Sequence, residues 1–449
     1  MRWMVLMVCW MGCAKPPPPT LIDSPAAMDE ARLNAMVREL VPVVEKVSGL
    51  AFDEVPFVRM GRRTDLQRIV QHEAGSTFDV MYPNAPEWMR ESFIRDMQGD
   101  GIAGKYALQE RILLVSPDAM ARMASKVDDD PLALDHVTRL ILAHEMAHAL
   151  QDQHSGISQM FDEPAHGDAF QALRGVTEGH ANFVESRVAE ELGLQEVERI
   201  LNAGQGWDED GPDGVWSFGV WAAYGQGLSF VRWHVEEGGL PRTWQLLSSP
   251  PQRSRTVFVP EEYGSERPAS LQDAALLDGL ESNLQDVRWF ASAGPVVEVT
   301  LRERLFGIPA PELEASLAAI VGGAMRQASR SDRSAEFILL RFDTEDQAST
   351  AVQLPYRFSG PLSERRLPVP ELTVMFETEQ LQDFADEAWS VRQAVTRDGE
   401  NSIGSGQETH SLWIRVGTDV LIIEATGFRP GDRLRHTADV AVERLRPTP

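Results

Sequence analysis

The sequence contains little cysteine. Its 449 residues include two cysteines, Cys9 and Cys13, both close to the N-terminus, so disulfide bonds cannot hold the rest of the chain together. Basic residues are also few, because 42 lysines and arginines stand against 68 acidic residues and give a net charge of −26. Nucleic acids and anionic membrane surfaces are bound through basic patches, so this balance argues against both as partners.

The N-terminus has the pattern of an export signal. Its apolar run, Trp3 to Met11, is shorter than the ~20 residues of a membrane-spanning helix and follows the single positive charge of Arg2. Gly12-Cys13 at its end resembles the lipobox of bacterial lipoproteins, which implies acylation of Cys13 and a lipid anchor as the membrane contact. Since Ala14 rather than aspartate follows, the resemblance implies the outer membrane of the cell envelope, where the host has one. An ordinary secretory signal with an incidental cysteine is the alternative.

The whole chain divides into four predicted parts. Residues 1–13 are the predicted signal peptide and lipobox, and residues 14–27 form a proline-rich linker whose tetraproline should be stiff and extended. Residues 28–287 are predicted to be a mainly helical domain with an edge strand. Residues 288–449 are predicted to be a smaller α+β domain without a recognisable chemical motif. The predicted fold class is therefore α+β.

Apolar periodicity predicts the elements that surround the candidate site. The predicted helices are 28–47, kinked or divided at Pro42, then 64–72, 131–153, 168–192 and 221–237. Residues 106–115 should form a strand pair or a single edge strand, and the segment from Pro250 to Tyr263 should be extended. In the C-terminal domain the predicted strands are 336–342 and 372–376 with a hairpin at 411–424, and the predicted helices are 344–354, 377–395 and 431–445.

The motif H-E-x-x-H lies within the helix predicted at 131–153. It consists of His144, Glu145 and His148. Residues i and i+4 of a helix differ by about 40° of rotation, so both imidazoles project from one face and can bind one Zn²⁺. Glu145 lies beside them, where its carboxylate can take a proton from a water at the open coordination position. The motif therefore predicts a catalytic metal site.

A third ligand is needed, and there are three candidates. His154 has the spacing from His144 that metzincins use, but Gln151 stands where those enzymes have a helix-breaking glycine. In an unbroken helix His154 lies about 15 Å along the axis from His144, too far to share a metal. Glu178 and His180 lie on the next long helix. A carboxylate from that helix would complete a His₂Glu site, and His180 is about 200° around the helix from Glu178, so Glu178 is the predicted ligand.

Several segments resemble the gluzincin metallopeptidases. The H-E-M-A-H-A-L-Q-D segment from His144, with Glu178-Gly-His-Ala downstream, is similar to a group of secreted bacterial and archaeal proteins with H-E-x-x-H-A-L-Q-D-Q and E-G-D-A. Tyr224-Gly-x-Gly-x-x-Phe-Val also resembles that group, whereas His180 replaces its aspartate. The resemblance implies that a tyrosine or histidine stabilises the oxyanion, with Tyr224 the candidate chosen here. It also implies that the strand at 111–115 aligns a peptide substrate by main-chain pairing.

Together these features predict a zinc-dependent peptidase of the cell envelope that acts on a peptide or protein substrate. Zinc would be bound by His144, His148 and Glu178, and Glu145 would act as the general base. Two alternatives remain: a non-catalytic envelope lipoprotein with a structural metal and a partner-binding C-terminal domain, and a metallohydrolase of a non-peptide amide. Glu145 favours an enzyme, because a structural metal site does not need it.

Overall fold

A computed structural model of the protein describes residues 28–81, 102–127, 131–162, 165–203, 218–266 and 274–284, with four positions between 87 and 94. It also describes residues 290–446 except 295, 306–309, 331–332, 360–361, 367–371, 383, 398–407 and 428–431. The predicted signal peptide, the lipobox at Cys13 and the proline-rich linker lie outside the described residues. No described helix has the length and apolar character needed to span a membrane.

The N-terminal part is mainly helical. Its helices are α1 (Glu30–Ser48), α2 (Arg63–Met81), α3 (Pro117–Val127), α4 (Pro131–Ser155), α5 (Ile157–Asp162), α6 (Gly167–Leu192), α7 (Gln195–Ala203), α8 (Phe218–Gly238), α9 (Leu240–Ser248) and α10 (Ser254–Phe258). Its strands are β1 (Phe57–Met60), β2 (Gly104–Ala107) and β3 (Ile112–Val115). One apolar core joins α1, the strands, α4, α6 and α8, so the two helices that carry the predicted ligands lie at the centre of this part.

Helix α1 is continuous over the predicted range. The Asp29 side chain caps it by accepting from the Arg32 N–H at 2.8 Å, and Gly49 ends it in the left-handed conformation. The helix continues through Pro42, so the predicted division there is wrong. Pro42 is exposed while Leu40 and Val44 on either side are buried, and the buried face holds the two halves in one element.

The small sheet changes the assignment of the edge strand. Its order is β1-β3-β2, with β1 parallel and β2 antiparallel to β3. The strand predicted at 111–115 is therefore the middle strand, because β1 pairs with it from more than 50 residues earlier in the chain. The strand that forms the sheet edge next to α4 is β2.

Helices α6 and α8 approach each other through glycine. A Cβ at Gly179 would lie 2.2 Å from the backbone carbonyl of Gly227, and a Cβ at Gly227 would lie 2.3 Å from the Gly175 oxygen. The two backbones are thus in contact without side chains between them. This crossing places Glu178 of α6 near Tyr224 of α8, one turn before Gly227.

The segment that follows α9 is folded rather than extended. The prediction of an extended segment is wrong, because α10 and a 3₁₀ turn at Pro260–Glu262 occupy it. Buried Asp168 at the start of α6 accepts from the Ser254 N–H at 3.1 Å and from Arg253 Nε at 2.6 Å. These contacts hold the beginning of α10, whose Val257 is buried in the core.

The C-terminal part is built on one sheet. Its strands are β4 (Phe290–Gly294), β5 (Ile320–Arg330), β6 (Arg333–Phe342), β7 (Leu362–Arg366), β8 (Leu372–Gln380), β9 (Glu387–Arg397), β10 (Glu408–Val416) and β11 (Asp419–Thr426). They are antiparallel in the order β4-β5-β6-β11-β10-β9-β8-β7. The helices are α11 (Ala274–Leu277), α12 (Glu281–Leu284), α13 (Glu298–Arg304), α14 (Ala310–Ala318), α15 (Glu345–Val352), α16 (Leu354–Ser359) and α17 (Asp432–Leu445). These helices cover both faces of the sheet.

The prediction of a helix at 377–395 is wrong. Strand β8 extends to Gln380, and β9 occupies most of the remainder. Trp389 and Val391 pack on one face of the sheet and Ala388 on the other, which is the two-residue period of a strand. Strands β8 and β10 satisfy the backbone of β9 on both sides, so tertiary pairing decides its conformation. The hairpin predicted at 411–424 is present as β10 and β11.

The two parts meet in a partly buried ionic group, here called the junction cluster: Arg255, Glu262, Glu298, Arg302 and Glu314. Arg255 donates to Glu262 at 2.8–3.0 Å and to Glu298 at 3.3 Å. Arg302 donates to Glu298 at 2.9 Å and to Glu314 at 2.5 and 2.9 Å.

Helices α11 and α12, on the N-terminal side of the predicted boundary at 287/288, share an apolar cluster with the sheet through Leu277, Leu280 and Leu284. The predicted α+β class, a mainly helical part followed by a separate sheet, is confirmed.

Candidate metal centre

Helix α4 presents two histidines to one point. The helix is continuous from Pro131 to Ser155 and includes His144 and His148, which are one turn apart. Their ring centroids are 4.9 Å apart, and their Nε2 atoms are separated by 3.2 Å. Both side chains are largely buried, with exposed fractions of 8% and 9%. The i, i+4 spacing therefore brings the imidazoles together as the sequence predicts.

Helix α6 adds the carboxylate of Glu178. Its Oε2 lies 3.4 Å from the Nε2 atoms of both His144 and His148. Three ligand atoms bound tetrahedrally at ~2.0–2.1 Å lie about 3.3 Å from one another, which matches these separations. His144, His148 and Glu178 form a group that can hold a metal ion.

The hydrogen bonds around the histidines fix which nitrogens face inward. His144 Nδ1 lies 3.1 Å from the Glu185 carboxylate, and His148 Nδ1 lies 2.9 Å from Gln151 Oε1. Both contacts are satisfied by an N–H at Nδ1, so each Nε2 faces the other imidazole and Glu178. Glu178 Oε2 is buried and, among the described residues, makes no hydrogen bond of normal geometry. Two imidazole nitrogens and a carboxylate oxygen that converge on one buried point fit a bound cation.

The charges of the site also favour a cation. Burial alone would lower the pKa of His144, but hydrogen bonds to Glu178 and Glu185 raise it to about 10. Burial would raise the pKa of Glu178, yet the charge of His148 and the contacts with both histidines hold it well below its usual range. The carboxylates thus stabilise positive charge between them, whether a proton or a metal ion supplies it.

Glu145 is held by the edge strand. Its Oε2 accepts the Tyr106 N–H of β2 at 2.5 Å. The neighbouring Gly104 permits this approach, because a Cβ there would lie 2.6 Å from Ile141 and 3.2 Å from Glu145 Cγ. The Tyr106 hydroxyl donates to Asp152 of α4 at 3.1 Å and ties the strand to the same helix. The carboxylate beside the metal ligands is therefore held in a defined position.

Tyr224 lies against the triad. Its ring stacks on the His144 imidazole with centroids 6.1 Å apart and planes 20° from parallel. Burial, followed by the nearby charge of Glu178, raises the pKa of Tyr224 well above its ordinary value. The hydroxyl therefore keeps its proton and can act as a hydrogen-bond donor. Asn182 of α6 donates to the Tyr224 backbone oxygen at 3.3 Å and contacts this residue rather than a ligand imidazole.

The other candidate ligands lie elsewhere. His154 Nε2 lies 2.8 Å from the Ala51 oxygen, because α4 continues unbroken past Gln151. His180 points away from the triad, and its Nδ1 lies 3.0 Å from Gln151 Nε2. Burial, aided by the charge of His148, lowers the pKa of His180 to about 3, so its ring is neutral.

Two residues of the site, Glu185 and Gln151, were not predicted. Glu185 lies seven residues after Glu178, which is two helical turns, so both carboxylates share a face of α6. Gln151 lies three residues after His148 on α4 and shares its face in the same way. Helical spacing from the ligands could have identified both side chains.

Comparison with known proteins identifies no family. No protein-family model matches this chain, and no curated protein matches it significantly. A structure from Chloroflexus aurantiacus, described as a candidate hydrolase with a novel fold, is similar over 52% of this chain and 88% of its own, with 17% identity and a TM-score of 0.38. The extracellular domain of PknH from Mycobacterium tuberculosis is similar over 40% of this chain and 97% of its own, with 13% identity and a TM-score of 0.26. Both TM-scores lie below 0.5, so neither similarity establishes a shared fold.

Proposed function

We propose that this protein is a zinc-dependent peptidase that hydrolyses peptide bonds at the cell envelope. One observation carries the proposal: Glu145 follows His144 in the helix whose two histidines face a common point with Glu178, and its carboxylate is bound to the edge strand. A structural metal site needs ligands but no additional carboxylate fixed beside them. A hydrolytic site needs that group as a general base.

His144, His148 and Glu178 would hold the metal and leave a fourth position open. A zinc ion in this site supplies a Lewis acid that polarises the scissile carbonyl and lowers the pKa of an attacking water. The outer nitrogen of His144 is held by Glu185, which keeps the imidazole oriented with its inner nitrogen facing Glu178 and His148.

Glu145 would move the proton. Its carboxylate takes the proton of the attacking water and then passes it to the leaving amine nitrogen. The Tyr106 N–H fixes Oε2, so Oε1 is the oxygen that would take the proton. Because the contact comes from the backbone of β2, the position of the base depends on the sheet and not on a mobile side chain.

Tyr224 would stabilise the developing oxyanion. Its hydroxyl is protonated, and its ring is stacked on His144 at the wall of the site. A buried neutral donor beside the scissile carbonyl contributes most where charge develops, in the tetrahedral intermediate. Strand β2 forms the edge of the described sheet beside Glu145, so a substrate in extended conformation would pair there.

The direct test combines two measurements on the purified protein. Metal analysis should find one zinc per chain, and a mixed peptide library should be cleaved at internal peptide bonds, as detected by mass spectrometry. Cleavage should disappear with a chelator and return with zinc. Bound zinc without any cleavage would contradict the peptidase function and would instead support a structural metal.

The location is part of the same proposal and has its own test. The lipobox-like Gly12-Cys13 supports attachment through a lipid on Cys13. Cys13→Ala should move the protein from the membrane fraction to the soluble fraction, whereas Cys9→Ala should leave it in the membrane. A mature N-terminus at another residue without acyl mass would contradict the anchor.

A further inference from the structure

The orientation of the His148 ring is set by a chain of hydrogen bonds. The Thr177 backbone oxygen can only accept a hydrogen bond, so the Gln151 atom 2.8 Å from it is the donating Nε2. The other amide atom, Oε1, therefore faces His148 Nδ1 at 2.9 Å and accepts its hydrogen. A backbone carbonyl of α6 thus determines which nitrogen of His148 faces the metal position.

His180 completes this chain. The second N–H of Gln151 faces His180 Nδ1 at 3.0 Å, so His180 must accept there and carry its hydrogen on Nε2. His180 is fully buried, and its ring packs against Trp244 with centroids 5.0 Å apart. Both N–H groups of the Gln151 amide are therefore hydrogen-bonded, and these two bonds prevent the amide from rotating.

We propose that Gln151 and His180 are positioning residues of the metal centre, which hold His148 with Nε2 directed at the metal. The inference rests on the metal site of the proposed function. It assigns His180 a role other than ligation, although its residue type and its position two residues after Glu178 suggest a ligand.

The two ligand histidines are held differently. His144 is held by the carboxylate of Glu185, whereas His148 is held by a neutral amide. Each carboxylate near the metal reduces the positive charge that the ion offers to a substrate carbonyl. A neutral partner for His148 therefore fixes the ring without weakening the Lewis acid further.

The test measures zinc affinity by chelator competition and the visible absorption of the Co²⁺-substituted protein. Gln151→Met has a similar volume but no acceptor, and it should weaken zinc binding by about 10–100-fold. It should also change the cobalt spectrum. His180→Phe keeps the ring against Trp244 but removes the acceptor for Gln151, so its loss should be smaller. His154→Phe is the matched control. It removes a histidine of α4 that makes no hydrogen bond to Gln151, His148 or His180, and it should leave zinc affinity within about two-fold.

Two further variants separate positioning from packing. Gln151→Glu keeps an acceptor for His148 but places a carboxylate against the Thr177 oxygen, so it should retain zinc affinity better than Gln151→Met. The double variant Gln151→Met/His180→Phe should bind no more weakly than Gln151→Met alone, since His180 acts only through Gln151. Circular dichroism and apo-protein unfolding verify that each variant is folded.

Three results would overturn the inference. Gln151→Met could bind zinc as tightly as His154→Phe, Gln151→Glu could be as damaging as Gln151→Met, or the losses at 151 and 180 could add. If the wild-type protein binds neither zinc nor cobalt, the metal centre fails and this inference fails with it. If it binds zinc but cleaves no peptide, only the peptidase function is contradicted, and the affinities still decide the roles of Gln151 and His180.

Discussion

The metal centre and the junction cluster are both groups of largely or partly buried charged side chains, yet they are organised differently. In the junction cluster each guanidinium contacts two carboxylates: Arg255 contacts Glu262 and Glu298, and Arg302 contacts Glu298 and Glu314. In the metal centre the Glu178 Oε2 atom and the two inward-facing imidazole nitrogens converge on one point, at 3.2–3.4 Å from one another.

This difference separates a structural ionic group from a binding site. Where every charge is paired, the group has no capacity left for a ligand, and its removal is expected to affect folding. Where two imidazole nitrogens and a carboxylate oxygen converge on one point, the group can bind a cation, and its removal is expected to affect that binding. Substitutions in the two groups should therefore change different measured quantities.

The largest effect is expected for Glu178→Ala. It removes one of three ligand atoms, so zinc affinity should fall beyond the ~10–100-fold that is typical of outer contacts, and hydrolysis should be lost with it. Isothermal titration with zinc and peptide cleavage measure the two quantities, and thermal unfolding of the apo protein verifies that the variant is folded. Glu191→Ala, an exposed glutamate of the same helix, should leave zinc affinity unchanged.

Glu145→Gln is expected to affect turnover alone. The amide keeps the side-chain shape but cannot take a proton, so kcat should fall by ~10²–10⁴-fold while zinc content stays at one per chain. Peptide cleavage and metal analysis of the same preparation measure this. Unchanged turnover in a zinc-loaded Glu145→Gln protein would exclude Glu145 as the base.

Glu298→Ala is expected to affect folding alone. It leaves Arg255 and buried Arg302 without a shared partner, and it should lower the free energy of unfolding by about 3 kcal/mol. This is the lower end of the range for such a deletion, because Glu262 and Glu314 remain. Denaturant unfolding measures it, and zinc affinity of the folded protein should match the wild type. Glu314→Ala, which removes a half-exposed partner, should cost less. A change in zinc affinity would contradict the separation of the two groups.

The smallest effect on the reaction is expected for Tyr224→Phe. Loss of one oxyanion donor should lower kcat/KM by about 10²-fold with unchanged zinc affinity. Tyr263→Phe is the matched control, because its hydroxyl donates to the Ser249 oxygen outside the site. Equal kinetics for the two variants would remove Tyr224 from the reaction.

The sequence correctly predicted the helices whose apolar periodicity continues over many consecutive residues. Helices α4 and α6 agree with prediction to within two residues at each end, and the histidines meet because i, i+4 spacing is a property of any helix. The approach of Glu178 was predicted from an apolar face, but the distance depends on Gly179 and Gly227 in two separate helices. The four-residue spacing of Gly175 and Gly179 in α6 was visible in the sequence, whereas the pairing of α6 with α8 was not.

Other features depend on partners that are distant in sequence. The segment of β9 was predicted to be a helix, but its conformation is decided by pairing with β8 and β10. The strand at 111–115 is the middle strand of its sheet because β1 pairs with it. Gln151 was read as the residue that replaces a helix-breaking glycine. Its contact with His180 could not be predicted, because it requires the positions of α4 and α6 relative to each other.

The glycine crossing of α6 and α8 also determines which sequence changes the site can tolerate. With Gly179 and Gly227 in backbone contact, α8 cannot slide along α6 by one residue without placing the Cβ of Gln226 or Leu228 into the other helix. One residue inserted in α8 between Tyr224 and Gly227 would rotate the tyrosine by about 100° relative to the crossing. The same insertion in α6 between Gly175 and Glu178 would displace Gly175, one of the two glycines of α6 that approach Gly227, relative to the carboxylate. The number of residues within each helix is therefore fixed as strictly as the identity of the ligands.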